Sequence, residues 1–102
     1  MLDAEPTTLK KIKQNIKEPP MFRVIYVNDN TTSMEFVIDS LMEFFDYNLN
    51  SATEITQSIH ETGAATVAIL PYEIAEQKGV EVTISARSQN YPLQIRLELD
   101  QS

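Results

Sequence analysis

Three consecutive polar side chains, Asn28, Asp29 and Asn30, follow an apolar run that ends at Val27. Their oxygen atoms accept hydrogen bonds and the carboxylate adds negative charge, so the group could bind an ammonium ligand. The same residue types are also common in Asx turns that lead into a capped helix, and this local role alone would explain them. The residues themselves leave both interpretations open.

The single histidine, His60, gives little support for catalysis. The chain has no cysteine, which excludes thiol chemistry, and only two glycines, too few for a Gly-rich phosphate loop. It also has no nucleophile-elbow motif, so no hydrolytic triad is expected. Zinc normally needs three or four protein ligands, and the segment from Asn28 lacks the glycine and glutamate of a calcium loop. We therefore expect a protein that is not an enzyme and has no metal or cofactor. By itself, His60 is more typical of a half-buried capping or surface histidine.

The charge of the chain is acidic and unevenly distributed. The 102 residues carry a formal net charge of −7, with a small positive excess in residues 1–20 and a large negative one in residues 21–102. An acidic body repels phosphate backbones and attracts cationic ligands or basic peptide ends, so no nucleic-acid partner is expected. No apolar run approaches the about 20 residues that span a bilayer, and no signal core follows the N-terminus. We expect a soluble intracellular protein without a membrane partner.

The elements that must position these residues begin with a strand at "MFRVIYV", which is rich in β-branched and aromatic side chains. Apolar residues at helical spacing then predict a helix from about Ser33 to Phe45. Thr32 and Glu35 have the spacing of a capping box, which predicts the N-cap at or near Thr32. A second helix is predicted over about residues 50–62, opened by Asn48 or Asn50 and closed at Gly63.

The second half of the chain begins with "AATVAIL", which predicts a short buried strand. Residues 71–90 are ambiguous, because their first half is helical in composition while their second half alternates like a strand after Gly79. The pattern alone favours helix, turn and strand. The segment "LQIRLEL" predicts an amphipathic strand. Residues 1–20, which end in Pro19-Pro20, are predicted to be a mobile extension ahead of one domain, residues 21–102.

Taken together and in order, "FRVIYVNDNTTSMEFVIDSLMEFF", "SIHETG" and "PYEIAEQK" resemble the ClpS family, the N-degron adaptors of Clp proteases. The resemblance covers the body from Pro19 to about Glu98. It implies an α+β fold in which three helices pack on a three-stranded antiparallel sheet, in the order βααβαβ. It also implies one long helix from residue 71 to near Gln89, in place of the split that the pattern favours.

The resemblance further implies an adaptor that holds the free N-terminal residue of a substrate and delivers it to a ClpA- or ClpC-type AAA+ unfoldase. The implied amine-binding residues are Asn28, Asn30 and His60, with Asp29 adding negative charge nearby. The implied side-chain pocket consists of Thr32, Met34, Val37, Thr56, Ile59 and Leu93. Glu73 and Lys78 are the implied contacts with the N-terminal domain of the unfoldase. No cofactor, a monomer, and a location in the cytoplasm or the plastid stroma are expected.

Three residues depart from the pattern of the family. Asn30 stands where the family usually has Asp, Thr56 where it commonly has Met, and Ser33 where proline is common. A neutral hydrogen bond contributes about 0.5–1.5 kcal/mol, against about 1.5–3 for a charged one, so Asn30 predicts weaker or altered recognition of the amine. An alternative function is therefore a Clp-docking regulator in which recognition of N-degrons is lost or altered.

Overall fold

A three-stranded antiparallel sheet forms the framework of the computed structural model, which describes residues 19–101. In chain order its elements are β1 (Met21–Val27), α1 (Met34–Phe45), α2 (Leu49–Thr62), β2 (Ala64–Pro71), α3 (Tyr72–Ser88) and β3 (Gln94–Leu99). The strand order is β2–β1–β3, so the first strand is central and both of its partners come later in the chain. This arrangement confirms the predicted α+β fold and the order βααβαβ.

The core lies between the sheet and the helices that pack against it. Val24 and Tyr26 are two positions apart on β1 and fully buried, as expected for neighbours on one face of a strand. Tyr26 donates its hydroxyl hydrogen to Ser40 Oγ over 2.8 Å, because Ser40 uses its own hydrogen to bond the carbonyl of Val37. Burial raises the pKa of the Tyr26 hydroxyl, which this hydrogen bond only partly offsets. The buried polar pair therefore stays neutral and satisfied.

The N-terminus of α1 differs from the prediction by one residue. Ser33 is the N-cap, and its Oγ accepts a hydrogen bond of 3.0 Å from the backbone N–H of Phe36. The capping box of Thr32 with Glu35 is wrong, because the Thr32 hydroxyl donates to Asp29 instead. The two adjacent hydroxyl residues therefore have different roles: Thr32 bonds to Asp29 within the loop, and Ser33 caps the helix.

The bounds of α2 follow from local chemistry at both ends. Asn48 is the N-cap, and its Oδ1 accepts a hydrogen bond of 2.8 Å from the backbone N–H of Ser51. Gly63 ends the helix with φ at 94°, a left-handed conformation that glycine adopts without steric strain. Both predicted signals are confirmed.

The third helix is continuous across Gly79, so the split of residues 71–90 that the pattern favoured is wrong. Only every second member of the apparent alternation is buried: Val82 and Ala86 face the core, whereas Val80 and Ile84 are exposed. Buried residues therefore recur at helical spacing, and the remaining apolar residues form a separate surface face. Gly79 is itself buried against Ile95 of β3, which explains a small residue at this point of the helix.

The predicted extension, residues 1–20, lies outside the described residues except for Pro19 and Pro20, which are exposed. Within residues 19–101, the longest helices are too short or too polar to cross a membrane.

Candidate functional site

The loop that leaves β1 is tied to the end of α2 by one backbone hydrogen bond. The N–H of Asn28 donates to the carbonyl oxygen of Gly63 over 2.9 Å. Because Gly63 follows the last turn of α2, this bond places Asn28 beside the helix end that carries His60. Two segments that are more than thirty residues apart in the sequence are thereby held at one place.

The carboxylate of Asp29 organises this loop. Its Oδ1 accepts hydrogen bonds from the N–H groups of Thr31 and Thr32 at 2.8 and 2.7 Å, and its Oδ2 accepts from the Thr32 hydroxyl at 2.8 Å. Desolvation favours the neutral acid, but the hydrogen bonds from Thr32 and Thr31 and the charge of Arg87 together hold the pKa of Asp29 below its usual value. The loop interpretation, an Asx turn, therefore applies to Asp29.

A small cavity lies between this loop, the starts of α1 and β3, and the second half of α2. Its lining contains every residue predicted for the amine-binding site and the side-chain pocket except Asn30, together with one further residue, Val27. The lining residues are Val27, Asn28, Asp29, Thr32, Met34, Val37, Thr56, Ile59, His60 and Leu93. Val27 ends β1 directly before Asn28, and its position at the end of the apolar run is the signal that could have found it. The cavity thus joins residues from five segments of the chain.

The lining changes from apolar and buried to polar and exposed. Ile59 and Leu93 are almost completely buried, and Val37 is nearly so. His60 is exposed and Asn28 is half-buried, so the amide and the imidazole lie on the accessible side. The interior volume is about 20 Å³, close to the size of one water molecule, and the space including the open mouth is about 280 Å³. The cavity therefore has apolar surface inside and polar groups at its mouth.

Thr56 and His60 are four positions apart on α2 and both line the cavity, as helical spacing predicts. The Thr56 hydroxyl donates to the carbonyl oxygen of Ala52 over 2.7 Å, one turn earlier in the helix. Thr56 is buried, and its hydroxyl retains only acceptor capacity toward the cavity.

Leu93 is positioned by a residue that the sequence analysis did not single out. Nη1 of Arg87 donates to the carbonyl oxygens of Tyr91 and Leu93 at 2.8 and 2.9 Å, which fixes the turn between α3 and β3. This role depends on how the chain folds back after α3, so no local pattern could have indicated it.

Two predicted groups lie outside the cavity. Asn30 is exposed and does not contribute to the lining. Glu73 and Lys78 lie on α3 on either side of Ile74, an exposed apolar residue. Glu73 and Ile74 border a groove with Pro19 and Pro20, and Ile74 and Lys78 border another with Phe44 and Phe45 at the end of α1. The α3 surface formed by Glu73, Ile74 and Lys78 is thus separate from the cavity.

The molecule thus combines an α+β framework with a small apolar cavity whose accessible side carries an amide and an imidazole. The family model described as ATP-dependent Clp protease adaptor protein ClpS matches residues 17–96 of the chain. The chain therefore belongs to the ClpS family, whose members are adaptors of a Clp protease.

Relatives and a solved structure agree with this assignment. The ATP-dependent Clp protease adapter proteins ClpS of Sodalis glossinidius and Escherichia coli O127:H6 are 39% and 40% identical over 97 residues, which cover 95% of this chain and 92% of each relative. The structure of Agrobacterium tumefaciens ClpS2 bound to L-phenylalaninamide matches with a TM-score of 0.79 and 28% identity, covering 81% of this chain and all of that one. The family is an adaptor family and not a catalytic one.

Proposed function

We propose that this protein binds the N-terminal residue of substrates with exposed destabilising N-termini and delivers them to a ClpA- or ClpC-type unfoldase for degradation by the Clp protease. The observation that best supports the proposal is the cavity itself. It combines a buried apolar interior, formed by Ile59 and Leu93, with polar groups of Asn28 and His60 at its accessible side. An N-terminal residue presents the matching pair, an apolar side chain and an ammonium group on one carbon.

The ammonium group is recognised by hydrogen bonding. It has three donors, the Asn28 amide oxygen is an acceptor, and a neutral His60 imidazole offers one nitrogen acceptor. The ionised Asp29 carboxylate adds negative charge close to the same edge. An acetylated or extended N-terminus supplies fewer donors and leaves acceptors unpaired, at about 1–3 kcal/mol for each buried group. Selectivity for free N-termini follows.

The side chain of the N-terminal residue occupies the apolar interior. The related ClpS2 has been solved with L-phenylalaninamide, which carries a free amine and an aromatic ring. The interior described here is smaller than such a ring, so its entry requires a lining residue to move. Met34 is suited to this, since it is partly exposed and its unbranched side chain changes rotamer easily. Thr56 and Met34 together then set the size of the accepted side chain.

Fluorescence anisotropy with peptides that differ only in their first residue tests the proposal. Each peptide is compared with its acetylated twin, and we expect the free amine of the preferred peptide to bind at least about tenfold more tightly, since one unpaired acceptor corresponds to about 1.4 kcal/mol. His60→Ala should weaken binding by a similar factor. Ser58→Ala is the matched control, because Ser58 is exposed on the same helix and does not line the cavity. Equal affinity for free and acetylated peptides would contradict the proposal.

Delivery requires a second surface, and we assign it to Glu73, Ile74 and Lys78 on α3. One copy contains both this surface and the whole cavity, so the proposed adaptor works as a monomer. Because the proposed partner is an unfoldase of this class, we expect delivery and degradation to occur in the cytoplasm, or in the plastid stroma of a plastid-bearing host.

A second candidate function is a Clp-docking regulator with lost or altered N-degron recognition. It is favoured by the small interior of the cavity and by the exposed position of Asn30 outside the lining. The same peptide panel separates the two functions, because a regulator would bind the unfoldase without any preference among free N-termini.

A further inference from the structure

β3 is an edge strand whose outer backbone groups have no partner among residues 19–101. The N–H of Asp100 donates to the carbonyl oxygen of Met21 over 2.8 Å, and the register pairs Phe22 with Leu99. In an antiparallel strand, the N–H and C=O of one residue point to the same side, and successive residues alternate. The even-numbered residues of β3 therefore bond to β1, and Ile95, Leu97 and Leu99 direct their backbone groups outward.

We propose that this edge pairs with the β3 edge of a second copy, in an antiparallel two-fold arrangement centred on Leu97. In that register Leu97 lies opposite its own counterpart and Ile95 lies opposite Leu99 of the second copy. All of these residues have outward-pointing backbone groups, so every outward N–H from Ile95 to Leu99 meets a carbonyl. The two sheets become one six-stranded sheet, and the free β3 edge of each copy is removed, while the β2 edges remain at the two ends.

In this register the charged side chains of β3 lie opposite side chains of the opposite charge in the second copy. A register shifted by one residue does not give this match. Arg96 lies opposite Glu98 of the second copy, and Glu98 lies opposite Arg96 of the second copy. Both side chains are about half exposed, and within one copy they are already 3.8 Å apart. They occupy non-hydrogen-bonded positions of the new pair, where opposing side chains approach most closely. A two-fold axis at Leu97 therefore creates two attractive pairs.

An apolar surface on α3 continues the same interface. A groove of about 270 Å³ separates α3 from β3 and is lined chiefly by Val80, Ile84, Ile95 and Leu97. Val80 and Ile84 are 51% and 65% exposed, unusually high for aliphatic residues one helical turn apart. An axis perpendicular to the sheet keeps the helices of both copies on one face. The second copy's α3 surface then covers this groove and removes apolar area from water.

Self-association goes beyond the proposed adaptor function, which needs only one copy. None of the interface residues lines the cavity, so each copy of the dimer keeps its own cavity residues. Because each copy carries a net charge of −7, repulsion opposes association at low salt. We therefore infer a reversible dimer in equilibrium with the monomer, best observed at physiological ionic strength.

Sedimentation velocity of the full chain over a dilution series tests this inference. The wild-type protein should shift from monomer to dimer as its concentration rises. Arg96→Glu and Glu98→Arg should each raise the dimer dissociation constant by about tenfold or more, because each variant places two like-charged pairs across the axis. An equimolar mixture of the two variants should form heterodimers, since each Glu pair then faces an Arg pair.

Circular dichroism checks that both variants are folded, because Glu98→Arg also places a cation beside Arg23. Ile84→Ser tests the interface without any change of charge and should weaken the dimer severalfold. Its control is Ile69→Ser on β2, since Ile69 is also exposed but lies on the opposite edge strand. A protein that remains monomeric at every concentration, a dimer that Arg96→Glu leaves unchanged, or a mixture that does not associate would each overturn the proposal.

Discussion

The carboxylate of Asp29 orders the loop at the edge of the cavity. Its three hydrogen bonds hold Thr31 and Thr32 in the turn that also places Asn28. Negative charge at the edge of the cavity and order in the loop therefore come from the same group. A carboxylate that supplied only negative charge would not need these three hydrogen bonds.

Asp29→Asn should lower the free energy of unfolding at neutral pH, because the Thr32 hydroxyl loses its carboxylate acceptor. The expected loss is only about 0.5–1 kcal/mol, since solvent screens the charge that is removed. The pKa of Asp29 is lower in the folded state than in the unfolded state, so its stabilisation is present above the ordinary pKa of an aspartate. It is lost as the pH falls from about 4 through the folded-state pKa.

Urea denaturation at neutral and acidic pH measures this difference between the wild-type protein and Asp29→Asn. The gap between the two proteins should close on acidification. Asp39→Asn, an exposed position on α1, is the control and should leave the stability at both pH values nearly unchanged. A gap that stays constant with pH would show that the ionised carboxylate does not stabilise the loop.

At the scale of elements, local chemistry was enough to predict α2 but not α3. Asn48 and Gly63 mark the ends of α2 through bonds and a backbone conformation that involve only neighbouring residues. In α3, alternate apolar residues suit a strand as well as two faces of a helix, and only packing against the sheet shows that Val82 is buried and Val80 is not. The N-cap of α1 depended in the same way on a contact of Thr32 that lies outside the helix.

Gly79→Ala should raise the free energy of unfolding by about 0.5–1 kcal/mol, because alanine restricts the unfolded chain and favours the helix. A Cβ atom at this position would meet Ile95 Cγ2 at 3.5 Å, which is ordinary van der Waals contact. Chemical denaturation measures the effect. Gly63→Ala provides the contrast, since a left-handed φ of 94° should make that variant less stable by about 1 kcal/mol. A destabilised Gly79→Ala would mean that α3 and β3 pack too closely for a methyl group.

At the scale of the whole molecule, the candidate site is a product of the fold. Spacing alone could pair Thr56 with His60 on one helix, whereas Val37, Leu93 and Asn28 come from separate segments that only the tertiary structure brings together. The resemblance to the ClpS family supplied these residues before the structure placed them around one cavity. Val27 and Arg87 were missed, because their roles depend on the end of a strand and on the return of the chain after α3.

Binding of peptides and binding of the unfoldase should be separable, since the cavity and the α3 surface share no residue. We expect Glu73→Lys with Lys78→Glu to reduce binding to the N-terminal domain of the unfoldase by about tenfold or more, because two contacts change sign. Peptide affinity should stay the same. Surface plasmon resonance with the isolated unfoldase domain and anisotropy with a peptide give the two readings. Loss of both affinities in the charge variant would show that the surfaces are coupled.

The central position of β1 has a consequence for how the protein is made. Phe22 pairs with Leu70 on one side and with Leu99 on the other, so β1 is synthesised before both of the strands that it pairs with. A growing chain that ends before residue 94 exposes one side of β1 to any other unpaired strand. The sheet is therefore completed only after the six residues of β3 have been synthesised, and until then β1 remains open to aggregation on that side.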